Sequence, residues 1–156
     1  LLAFVEKMAI DRFFPLFVQY VRANEIPFAV ISDGFCPFIR QILSRAGLPD
    51  IPVCANQLTE QNGKFKVSFP HNAIGCPAGT CKCSTAEELA KGLPVILVGD
   101  GRSDFCLADK ADYVFAKGKL VGYCRDMGIP FAEFKDFSEV IRVLHQLDIS
   151  AVRRVG

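Results

Sequence analysis

Pro94-Val95-Ile96-Leu97-Val98-Gly99-Asp100-Gly101-Arg102-Ser103-Asp104 is the stretch that decides the fold. Its apolar run does not alternate with polar residues, which is what a strand buried on both faces requires, and such strands belong to parallel sheets covered by helices. The run stops at Gly99-Asp100, and a short helix is predicted from about Ser103 to Lys110. Downstream, the pattern predicts a strand at 113–116 and helices at 120–127 and 137–147. Upstream, a second apolar run at 27–32 breaks at Asp33-Gly34, and Phe38, Ile39, Ile42 and Leu43 then form the stripe of a helix ending at Gly47. Residues 53–55 read as a short strand. Asn62-Gly63 sits between β-prone flanks in 57–69, the signal of a hairpin. Residues 70–83 form a Cys-rich loop, and Ser84 with Glu87 reads as a capping box opening the next helix. Near the start, Phe14, Phe17, Val18 and Val21 share one helical face, with Pro15 suited to the first turn. Strands alternating with helices predict an α/β domain whose parallel sheet is flanked by helices.

The composition agrees with a folded domain and excludes several classes. The 156 residues are 51% hydrophobic and 22% charged, enough apolar material for a core and too little charge imbalance for disorder. Eighteen basic residues against 17 acidic ones, with no basic tract, exclude an electrostatic partner such as nucleic acid. No apolar run reaches the roughly 20 residues that span a bilayer, so no membrane partner is expected. Four of the seven cysteines (Cys36, Cys54, Cys106 and Cys124) are isolated among apolar residues, which favours a reducing, cytoplasmic location over a secreted disulfide scaffold.

In sheets of this kind ligands bind beyond the carboxyl ends of the strands, and two strand ends carry polar groups. Asp100 and Asp104, one on a strand end and one in the next helical turn, can converge on Mg²⁺, which takes one or two carboxylates plus water and phosphate oxygens. Taken alone, the same stretch serves equally as a turn with Asp104 facing a helix dipole. Ser32 offers a hydroxyl at the other strand end, followed by the amides of Asp33 and Gly34; by itself this is also a simple strand-ending turn. Lys82 stands among small residues before a helix and could point a positive charge at a phosphate, or could be an ordinary solvated lysine.

The order of these elements carries more than any one of them. Ile26 through Gly34, Phe69-Pro70-His71, Gly79-Thr80-Cys81-Lys82 and Val98 through Asp104 fall in the sequence expected of motifs two, three and four of haloacid dehalogenase superfamily phosphatases. The chain resembles that superfamily over most of its length, in the branch containing 2-hydroxy-3-keto-5-methylthiopentenyl-1-phosphate phosphatase and phosphoserine phosphatase. The resemblance implies a Rossmann-like core over 25–150 with a hairpin insertion at 57–69. Residues 1–24 would be the end of a cap and the helix leading into the core, and 151–156 a tail. It implies a phosphomonoesterase acting on a small phosphorylated metabolite, with Mg²⁺ as cofactor. Asp100 would be a metal ligand, and Asp104 would support the metal directly or through water. Ser32, Asp33 and Gly34 would hold phosphoryl oxygens, and Lys82 would neutralise charge shared by phosphate and nucleophile.

One motif is absent. The superfamily's nucleophile is the first aspartate of an Asp-x-Asp on an early central strand, and no Asp-x-Asp occurs in this sequence. That strand would lie between the apolar runs 27–32 and 94–98, so the sequence is expected to be part of a longer protein. A chain lacking the strand would expose an open sheet slot, inviting a homo-oligomer. The rival is a non-catalytic phosphate-binding or interaction module. Cys76, Cys81 and Cys83, with His71 nearby, leave three further states open: zinc ligation, a labile disulfide, or thiols in a substrate-side loop.

Overall fold

The computed structural model describes residues 8–147 and divides the chain into two units, Leu1–Cys81 and Lys82–Gly156. The expected core of 25–150 is therefore spread over both. The tail at 151–156 and the first residues of the expected cap segment lie outside the described residues.

In the first unit, α1 (Phe14–Ala23) carries Pro15 in its first turn and buries Phe14, Phe17, Val18 and Val21. Phe28 meets this face, its ring edge-on to Phe17 at 5.4 Å. Each such side chain taken fully from water contributes about 1.5–3 kcal/mol. Strand β1 (Val30–Phe35) starts three residues later than the apolar run does and continues through Asp33-Gly34, where a break was expected. The late start follows from its partner β2 (Val53–Gln61), which is preceded by Pro52, a residue with no amide to extend the ladder. The continuation follows from a bulge: Ser32 pairs with Ala55 and Phe35 with Asn56, which leaves Asp33 and Gly34 outside the pairing. The helix α2 (Cys36–Arg45) follows at once, with Gly47 beyond its end at φ +74°.

The short strand and the hairpin expected as separate features are one element. The first half of β2 pairs in parallel with β1, and its second half pairs antiparallel with β3 (Lys64–Ser68). Asn62 and Gly63, at φ 53° and 73°, close the tight turn.

The second unit opens with α3 (Lys82–Ala90), so the helix begins before Ser84 and the expected capping box lies inside it. The amides just ahead are already satisfied, Thr80 by Asp33 Oδ1 at 3.0 Å and Cys81 by the His71 carbonyl at 2.8 Å, so no cap at Ser84 is needed. Strands β4 (Ile96–Gly99), β5 (Tyr113–Ala116) and β6 (Ala132–Glu133) form a wholly parallel sheet in that order. A 3₁₀ turn (Arg102–Asp104) runs into the short α4 (Phe105–Ala108). Then come α5 (Lys119–Met127) and α6 (Phe137–Gln146), the latter capped by Asp136, which accepts from the Ser138 amide at 2.9 Å. Val114, Phe115, Ala116, Leu120, Cys124 and Val140 make the buried centre of this unit. Both units are α/β with parallel pairing flanked by helices. Strands β1 and β4, between which a further strand was expected, are each an edge of their own sheet. Among the described residues no helix is long and apolar enough to cross a membrane.

Candidate active site

Ser32, Asp33 and Gly34 belong to the first unit; Lys82, Asp100 and Asp104 belong to the second. Each group has its own supporting network.

At the end of β1 the bulge turns Ser32 Oγ back to accept from the Gly34 amide at 3.0 Å. The Ser32 hydroxyl keeps its own proton to donate, whereas the Gly34 amide must release this bond before it can hold a phosphoryl oxygen. The Asp33 side chain serves the scaffold. Its Oδ1 accepts from the Asn56 amide at 3.1 Å and from the Thr80 backbone amide at 3.0 Å, and its carbonyl accepts from Asn56 Nδ2 at 2.7 Å. The Thr80 hydroxyl closes the ring by donating to Asn56 Oδ1 at 3.0 Å. Asn56 and Thr80 are both buried, and Gly79 lies so close that a Cβ there would stand 2.7 Å from Asn56 Oδ1. This network ties the Ser32 turn to the loop that leads to Lys82.

Asn56 was not singled out in the sequence, and Thr80 stood there only within the Gly79-Thr80-Cys81-Lys82 stretch, with no role of its own. A signal was present, because an asparagine inside a strand is disfavoured unless its amide has partners to satisfy. Replacing Asn56 with Ala strands the Thr80 hydroxyl and removes two donors from Asp33. The unfolding free energy of the variant is expected to fall by about 1–3 kcal/mol in urea titration. A loss below roughly 0.5 kcal/mol, the range of neutral surface changes, would show that water replaces the network.

In the second unit, Lys82 Nζ lies 2.5 Å from Asp104 Oδ1, with side-chain exposures of only 12% and 4%. Asp104 Oδ2 accepts from the amides of Asp100 and Gly101, both at 3.0 Å. One buried carboxylate thus orients the lysine and shapes the turn that carries Asp100. Gly99 makes room for it, since a Cβ there would fall 2.6 Å from Asp104 Cγ. The far side of the turn is braced by the loop after β5: Lys117 N donates to the Gly99 carbonyl at 3.0 Å and Leu120 N to the Asp100 carbonyl at 3.3 Å. Gly118 adopts φ +56°, and a Cβ on it would stand 3.0 Å from the Asp100 carbonyl oxygen. Only glycine combines that conformation with that approach.

Asp100 itself is exposed beyond the carboxyl end of β4, and its carboxylate has no hydrogen bond or ion pair among the described residues. An unspent hard oxygen donor there fits Mg²⁺, which is content with one or two carboxylates. Asp104 fits a supporting role better than that of a full ligand, because Oδ2 is saturated by two amides and Oδ1 is engaged by Lys82. Among the described residues, Cys81 and Cys83 fall in a cluster of metal-ligating atoms, whereas Cys76 and His71 do not.

Comparison with known proteins bears on this geometry. The haloacid dehalogenase-like hydrolase family matches residues 1–109. The chain is 29% identical over 153 residues to the 2-hydroxy-3-keto-5-methylthiopentenyl-1-phosphate phosphatase of Exiguobacterium sibiricum, an alignment covering 95% of this chain and 69% of that protein. It is 30% identical over 138 residues to the protein of that name from Geobacillus kaustophilus, covering 85% and 62% respectively. For the one from Geobacillus thermodenitrificans the figures are 31% over 141 residues, 86% and 63%. The chain thus spans about two thirds of the length of these relatives.

Proposed function

Because the chain belongs to the haloacid dehalogenase-like hydrolase family, we propose that it supplies the phosphate-binding and charge-stabilising part of a Mg²⁺-dependent phosphomonoesterase. The observation that carries this is the buried Lys82–Asp104 pair, whose carboxylate also accepts from the backbone amide of the exposed Asp100 at a strand's carboxyl end. The substrate class is a small phosphorylated metabolite. The phosphorylated ketone in the relatives' name is the first compound to try.

In this reading Ser32 donates its hydroxyl proton, and the Asp33 amide its own, to phosphoryl oxygens. Lys82 offsets the charge gathering on the phosphoryl group, with Asp104 holding the ammonium in place. Asp100 would hold the Mg²⁺, which when bound would supply positive charge against the phosphoryl oxygens. The nucleophilic carboxylate comes from a segment preceding Leu1, in keeping with the greater length of the relatives. It forms an Asp–O–P bond as the ester P–O bond breaks. A neighbouring acid gives the leaving alkoxide its proton, and water then cleaves the aspartyl-phosphate to release inorganic phosphate. The protein acts in a reducing, cytoplasmic setting.

The test is phosphate release from p-nitrophenyl phosphate and from the relatives' substrate. It compares the 156-residue chain with a protein extended upstream to include an Asp-x-Asp strand. Turnover is expected only in the extended protein with Mg²⁺, vanishing with EDTA and returning when Mg²⁺ is restored. Phosphate binding without turnover in the extended protein would replace the enzyme with a non-catalytic phosphate-binding module.

A further inference from the structure

We infer that Cys83 and Cys106 form a redox-sensitive dithiol, and that its oxidation to a disulfide displaces Lys82 and switches the proposed active site off. The disulfide stands on the geometry of the second unit alone; its effect on turnover rests on the phosphatase reading.

The Sγ atoms of Cys83 and Cys106 lie within 4.8 Å of one another. None of the seven cysteines, all of them among the described residues, is in a disulfide. A bond needs the sulfurs at about 2.05 Å with the Cβ atoms about 3.5–4.5 Å apart, a change that side-chain rotation and a small helix shift can supply. Both residues are partly exposed and open to a small oxidant, whereas Cys36 and Cys124 are buried. Burial also pushes the Cys124 thiol above its ordinary value, which makes it an inert internal control.

The position of the pair gives it a consequence. Cys83 follows Lys82 directly in the first turn of α3, and Cys106 comes two residues after Asp104. Both ends are held: Thr85 and Ala86 are buried just beyond Cys83, and Cys106 is fixed by its surroundings. Its neighbour Phe105 stacks on Tyr123 at 4.0 Å, Tyr123 donates to Asp109 at 2.9 Å, and Leu107 and Ala108 are buried. Closing the sulfurs therefore shifts one turn against the other, and the Lys82–Asp104 bond, which spans the same two turns, is the contact that gives.

The chemistry balances with a peroxide as oxidant. The Cys83 thiol reacts with hydrogen peroxide to give a sulfenic acid and water. Cys106 then attacks that sulfur, forming the S–S bond and releasing a second water. A thiol reductant returns both thiols.

The 156-residue chain is treated with hydrogen peroxide, digested with trypsin without reduction and mapped by mass spectrometry. A protein lighter by two hydrogens is expected, with peptide 83–91 joined to peptide 103–110. The link should vanish in Cys106→Ser and persist in Cys76→Ser. Absence of that link, or a dominant link to peptide 67–82, which holds Cys76 and Cys81, would overturn the dithiol whether or not the protein is a phosphatase. In the extended protein, oxidation is expected to lower turnover at least tenfold, with recovery on adding dithiothreitol. Full turnover in a fully cross-linked sample would overturn the switch.

Discussion

Asp104→Ala is expected to lower the unfolding free energy by about 3 kcal/mol, read as an earlier urea midpoint at unchanged slope. Removing one partner of a buried ion pair leaves the other charged and unpaired, which typically costs about 3–5 kcal/mol. The lower end applies here because Lys82 keeps 12% exposure and its ammonium can turn partly toward water. The substitution also strands the amides of Asp100 and Gly101, which share Oδ2 in the native turn. Asp104→Asn keeps an acceptor for those amides while losing the charge, so its loss should be smaller. A loss of under 1 kcal/mol in the alanine variant, the size of a surface ion pair, would show that the pair is solvated and not a structural hub.

Asp100→Asn should behave in the opposite way. The carboxylate is exposed and bonded to nothing among the described residues, so stability is expected to stay within about 0.5 kcal/mol of the parent. Turnover of the extended protein should fall about 10²–10³-fold, the size of loss seen when one preorganised charge-stabilising group is removed. Raising Mg²⁺ should recover part of it, because an amide oxygen still binds a hard cation weakly. A variant within tenfold of the parent would mean that Asp100 is not the ligand. The two aspartates, four residues apart, are thus expected to differ: loss of Asp104 shows in stability, and loss of Asp100 shows in turnover alone.

Much of the fold could be read in the sequence because its signals are local. The apolar run ending at Gly99-Asp100, the Asn62-Gly63 turn and the stripe of Phe14, Phe17, Val18 and Val21 each state their own structure. Errors arose where a partner decides the outcome. The start of β1 is set by Pro52, just ahead of the neighbouring strand, and the bulge at Asp33-Gly34 exists only in the pairing. The start of α3 depends on amides satisfied by Asp33 and His71, far away in sequence. The site divides along the same line. Ser32, Lys82, Asp100 and Asp104 stand in recognisable patterns. Asn56, Thr80 and Gly118 act through hydrogen bonds and close approaches that no spacing announces. The saturation of Asp104 Oδ2 by two backbone amides was equally hidden.

The uninterrupted course of β2 limits how this protein can be lengthened. Near Asn56 the strand is in register with β1, and nearer its end it is in register with β3. An insertion of one residue before Leu58 would turn every following side chain to the opposite face of the ribbon or drag Asn56 away from Asp33. At Asn62-Gly63 the two registers are already closed off, so extra residues there lengthen only the tip. An epitope tag or a fluorescent label belongs at that tip, and the base of the hairpin should be left at its natural length.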